Sequence, residues 1–76
     1  MLKFGQNELN WADVVAVIIS NEDTNEVSVV TVDDQSLVVG SFPFASDAAT
    51  IKNMIDNGKL ADSIGGVTIV IDIDDF

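Results

Sequence analysis

Cysteine and histidine are both missing from this 76-residue chain, and arginine is missing with them. Without Cys there is no disulfide and no zinc–thiolate site. Without His the commonest zinc ligand and the usual general base are gone. Cationic charge rests on Lys3, Lys52 and Lys59 against thirteen Asp and Glu, for a net charge of −10. Nucleic-acid binding depends on Lys and Arg neutralising phosphates, and anionic membranes attract the same groups, so direct binding to either is disfavoured. No basic start followed by an apolar run and a small-residue cleavage site is present, so no secretory signal is read and a cytoplasmic protein is expected. Apolar runs are short, well under the roughly 20 residues of a membrane span.

What is abundant is β-branched sequence. Val14 to Ile19 is a continuous run of such residues broken by Ala16 alone. Stiff, branched side chains pack well on a pleated surface. Ser20 to Asn25 reads as a turn, because Asn and Asp bond their own backbone and tolerate left-handed conformations. Val27 to Val32 forms a second strand, Asp33 to Ser36 a second turn, and Leu37 to Val39 a third strand ended by Gly40. Strands joined by short loops pair antiparallel, so a meander is expected.

Ser46 and Asp47 open a helix, Ser46 as N-cap and Asp47 as a favourable charge on the helix dipole. Ala48, Ile51, Met54 and Ile55 recur at helical spacing and mark its apolar face, with Lys52, Asn53 and Asp56 toward water. Asn57-Gly58 is placed to end it, Gly58 in a left-handed cap, with a further turn over Leu60 to Ile64. Val67 to Ile73 then alternates as a last strand, Val67, Ile69, Ile71 and Ile73 sharing one face. Met1 to Phe4 adds a short edge strand and Gly5 to Asn7 a turn. Asn10 is placed to cap a helical turn over Trp11 to Asp13. Trp11 is expected to cover one end of the core. Phe42 and Phe44, on either side of Pro43, are both expected to be buried. The fold is thus a small single α+β domain over residues 1–76: an antiparallel meander, one helix and a final strand (β-β-β-α-β), with the extra N-terminal strand.

One helix with one apolar stripe covers one sheet face. Both faces of the first long strand are apolar, unlike an ordinary one-sided antiparallel sheet. A set such as Val15, Val17, Val30 and Val32 is therefore expected to lie uncovered. At about 25 cal/mol per Å² of apolar surface, leaving it wet forfeits several kcal/mol. A homodimer or higher oligomer is the expected remedy.

No catalytic pattern is visible: no G-x-S-x-G, P-loop or G-x-G-x-x-G. Asp33 and Asp34 are adjacent in a turn, where nothing drives their acidities apart as acid–base work requires. Neither Asp72 to Phe76 nor Asn21 to Glu26 matches a calcium loop, lacking its glycine and closing glutamate. No enzyme, cofactor or metal site is expected. The acidic run Asp72, Asp74, Asp75 closing on Phe76 resembles the C-terminal tips of bacterial single-stranded-DNA-binding proteins. That resemblance implies docking on a basic, apolar pocket. A solvated terminus is the plainer alternative.

The attractive partner for so acidic a body is a basic protein surface, including one that itself binds nucleic acid. In size, charge and lack of chemistry the chain is similar to small phage-encoded inhibitors of host proteins, including nucleic-acid mimics. The carboxylates read as the binding groups are Glu22, Asp23, Glu26, Asp33, Asp34, Asp72, Asp74 and Asp75, together with Phe76. Two alternatives stand beside this: a structural subunit whose open sheet face builds an assembly, and a small-ligand-binding dimer.

Overall fold

A computed structural model describes residues 1–20, 23–64 and 66–72. Six strands and one helix follow in order: β1 (Leu2–Phe4), β2 (Asn7–Leu9), β3 (Val14–Ser20), β4 (Glu26–Thr31), β5 (Ser36–Ser41), α1 (Ala45–Ala61) and β6 (Ile69–Ile71), with 3₁₀ turns at Trp11–Asp13 and Asp62–Ile64. The fold is mixed α+β, and the meander is present as β3-β4-β5, antiparallel throughout. The remaining strands form a second sheet, β2-β1-β6, in which β6 runs parallel to β1. The N-terminal strand is therefore central in its sheet and not an edge. The turn expected at Gly5 to Asn7 is tighter, and Asn7 already belongs to β2. Strands three residues long leave too little alternation to be legible before folding.

The core collects Leu2 and Phe4 from β1, Val14 and Val17 from β3, Val27 and Val29 from β4, and Ala48, Ile51 and Ile55 from α1. The spacing on α1 is the one the apolar stripe required, except that Met54 lies exposed. The first turn of the helix is not capped by Ser46. Phe44 sits at the N-cap without a side-chain bond, and its carbonyl accepts from Asp47 N at 3.1 Å and Ala48 N at 3.3 Å. Nor does Asn10 cap its turn by side chain; its carbonyl accepts from Asp13 N at 2.9 Å. Lys52 and Asp56, one helical turn apart, pair at 2.6 Å on a half-buried flank of α1.

The helix does not stop at Gly58 but continues to Ala61. The reason is steric. A Cβ on Gly58 would stand 2.6 Å from Cζ2 and Cη2 of Trp11 and 2.9 Å from Cγ1 of Ile69. Glycine is here a seat for the indole and not a helix terminator. Trp11 is buried over it, closing one end of the core, and its Nε1 donates to the Val67 carbonyl at 2.6 Å. The N-terminal amine donates to the same carbonyl at 2.7 Å. Val67 is thereby a bonding point ahead of β6, and the described strand is shorter than the Val67 to Ile73 run; Ile73 lies outside the described residues.

Phe42 is buried, whereas Phe44 is 65% exposed, so Pro43 separates an inward from an outward ring. Phe42 is held by backbone, its N–H donating to Thr24 O at 3.1 Å.

Two substitutions test this packing. Gly58→Ala gains about 1 kcal/mol of helix propensity but overpacks the indole, and overpacking costs about 1–3 kcal/mol. Urea unfolding is expected to show a net loss, while Asn57→Ala on the exposed side shows none. Phe42→Ala is expected to cost about 3–4 kcal/mol and Phe44→Ala less than about 0.5 kcal/mol; equal losses would contradict the separation of the two rings.

Candidate interaction surface on the outer sheet face

On the side of the meander away from α1, no described element covers the sheet. The composition of this side follows from a register shift between Val14 and Ala16 in β3. An inserted residue in one strand changes which side chains face inward. Val14 and Val17, three apart, both reach the core, and Val17 pairs with the fully buried Val29. Val17 is thus not part of the uncovered set, as strict alternation from the first strand would have it. Val30 is half-buried, and Val15 and Val32 are exposed.

Cross-strand pairing defines the outer surface. Ile18 pairs with Ser28 and Ser28 with Val38, making one row across all three strands. Ile18 is 42% and Val38 52% exposed, and the small Ser28 is buried between them. Ala16, Val30 and Ser36 form the next row, and Val15, 59% exposed, stands beside it at the bulge.

Carboxylates stand at both ends of the meander. At one end, near the start of α1, lie Asp23 and Glu26, the latter paired across the sheet with Ser20 and Ser41. The loop there is fixed by Asn25, whose φ of 48° is left-handed and whose Nδ2 donates to Phe42 O at 3.1 Å. At the other end lie Asp33 and Asp34, with Asp34 also left-handed at φ 62°. Asp34 N donates to Thr31 O at 3.0 Å, and the buried Thr31 hydroxyl donates to the Asp33 carboxylate. Asp13 joins this end, since its carbonyl accepts from Val32 N at 3.0 Å, and it shares with Asp33 a cleft on the core side of the sheet, lined also by Leu9, Thr31 and Leu37.

The two acidic ends are separated by the length of β4, on the order of 17–20 Å for a six-residue strand. Asp33 and Asp34 therefore share one end of the meander and Asp23 and Glu26 the other, and the two sets do not unite into one patch. Asp72 follows β6 in the other sheet. Glu22, Asp74, Asp75 and Phe76 lie outside the described residues, as does most of the acidic tail. Sequence reasoning missed Asp13 because its role depends on the meander folding back on it. It missed the Ile18–Ser28–Val38 row because that row depends on register.

Among the described residues no group of three or more carboxylates is close enough to hold a metal ion. A cleft of about 560 Å³ between the β1–β2 turn and β6 contains Lys3, but Lys3 stands 3.7 Å from Glu8 and is offset by it. The third lysine, Lys59, donates to the Trp11 carbonyl. No described helix is long and apolar enough to cross a membrane. Comparison with family models, with curated proteins and with solved structures finds no match to this chain.

Thr31 gives a local test of the Asp33 end. Thr31→Val removes the hydroxyl while keeping the buried shape, and is expected to cost about 1 kcal/mol in urea unfolding. Loss of the restraint should also broaden or shift the Asp33 and Asp34 amide resonances and leave Asp23 and Glu26 unmoved.

Proposed function

We propose that this chain is a non-enzymatic interaction protein that binds, and so inhibits or modulates, a basic protein, including one whose basic surface serves nucleic acid. The observation that carries this reading is the outer row Ile18–Ser28–Val38, apolar at its exposed ends, on a meander that carries Asp23 and Glu26 at one end and Asp13, Asp33 and Asp34 at the other. Apolar surface supplies association energy by burial. Flanking charge sets which partner approaches, and at what rate. A surplus of ten negative charges selects a cationic one. The separation of the acidic ends favours a partner with basic groups at two places on either side of an apolar patch, and it narrows the likeness to a continuous phosphate backbone.

A second reading rests on the same face: two copies stacking their outer rows to build a homodimer or larger assembly. It answers the exposed apolar surface equally well, but it brings together two bodies of net charge −10. The two readings predict opposite responses to salt. Screening weakens attraction to a basic partner and relieves repulsion between copies.

The chain, immobilised, is expected to retain a basic protein from bacterial lysate that salt releases and that added DNA displaces. Ile18→Lys with Val38→Lys should weaken retention by about tenfold or more, the equivalent of 1.4 kcal/mol. Retention indifferent to salt and to both substitutions would sink the reading. A dimer that tightens with salt in sedimentation, with nothing retained, would establish the second.

A further inference from the structure

Among the described residues the meander has two unpaired edges, and they are not alike. β5 carries a register shift in its middle, between its pairings to Val27 and Ser28, which interrupts any regular ladder along it. β3 carries its shift at the beginning, between Val14 and Ala16, and leaves Ala16 to Ser20 regular. Among the described residues β3 pairs with β4 alone. Its seven residues, VVAVIIS, include no charge, no proline and no glycine. Ile18 on the outer side and Ile19 on the helix side are each 42% exposed, so this edge is bare on both faces. Natural sheets guard such edges with lysine, proline, shortness or a covering element, because unpaired N–H and C=O groups template another strand. From Ala16 onward this edge shows none of those guards among the described residues.

We infer that an extended peptide segment, apolar in its centre and carrying Lys or Arg at its flanks, adds as a fourth strand along Ala16–Ser20 of β3. This rests on the basic-partner reading above and specifies how that partner engages. The charge pattern decides the occupant. Asp13 precedes β3, and Asp23 and Glu26 follow it. A second copy pairing antiparallel would set Asp13 of one copy against the acidic loop of the other at both ends, added to mutual repulsion of the whole bodies. A segment with basic flanks meets a carboxylate at each end instead, and like charges directly opposite in a ladder destabilise it. Main-chain bonds then supply affinity while Ile18, Ile19 and Val15 offer contacts to alternate side chains.

The test uses the full chain, isotopically labelled, and the synthetic peptide Lys-Lys-Thr-Val-Thr-Val-Thr-Lys-Lys. Binding is expected to slow amide exchange along Ala16–Ser20 while amides of β5 stay unchanged. A peptide of the same sequence with every Thr and Val amide N-methylated keeps charge and apolarity but cannot form a ladder, and is expected to bind at least about tenfold more weakly. The same core flanked by Glu should not bind. Equal binding by the N-methylated peptide would overturn strand addition while leaving the basic-partner reading intact. Absence of any protection on β3 with the Lys-flanked peptide would also overturn it. So would β3 amides already protected in a dimer of the chain alone, since the edge would then belong to a second copy.

Discussion

The seating of Trp11 on Gly58 is the contact on which the arrangement of both sheets depends. The indole lies where any other residue at position 58 would put a Cβ. Its ring N–H is bonded to Val67 O, which also holds the N-terminal amine, and its carbonyl receives the Lys59 ammonium. Trp11, through its indole and its carbonyl, thus ties the entry to β3 to the last turns of α1 and the approach to β6, where the Val67 carbonyl also holds the start of β1. In a chain this short, which buries only about 60% of its unfolded surface, such a convergence substitutes for the disulfide it does not have.

That tie also determines what is left uncovered. With its C-terminal end pinned under Trp11 and its start following directly from Phe42, α1 lies on the inner side of β3 and β4, where Ala48, Ile51 and Ile55 are fully buried. No second described helix exists to take the outer side. The outer row and the β3 edge are therefore a consequence of having one amphipathic element and a meander apolar on two faces. The electrostatic setting then limits what can approach. On the proposed function, carboxylates at both ends of the meander repel another copy and attract a cation-bearing chain.

Much of the architecture was legible in the residues. The β-branched runs gave the three meander strands, and Asn25 and Asp34 occupy left-handed turn positions that their side-chain chemistry tolerates. Ala48, Ile51 and Ile55 gave the buried face of α1. What was not legible depended on contacts distant in sequence. Gly58 has the local signature of a helix stop, and only the indole from position 11 explains why the helix passes through it. Val17 belongs by alternation to the outer face, and only the bulge at the start of β3 turns it inward. Phe42 and Phe44 are chemically identical, and only their places in the fold, one following β5 and bonded to Thr24 and one at the helix N-cap, separate the inner ring from the outer. The acidic residues were identified as surface groups, but their division between two ends follows from β4 running its full length between the loops.

The side chains that hold the fold and those exposed on the outer row are disjoint. Every fully buried large side chain, namely Leu2, Ile51, Ile55, Val27 and Val29, faces inward from its strand or helix. Ile18, Val38 and the free backbone of β3 contribute nothing to that cluster. Ser28 joins the two systems: it is buried, yet it lies in the outer row, small enough to let Ile18 and Val38 close over it. A larger residue there would raise a ridge in the middle of the open face, and a hydroxyl keeps that point polar without charge. The inner cluster is complete without the outer residues, and no buried side-chain polar atom among the described residues lacks a partner.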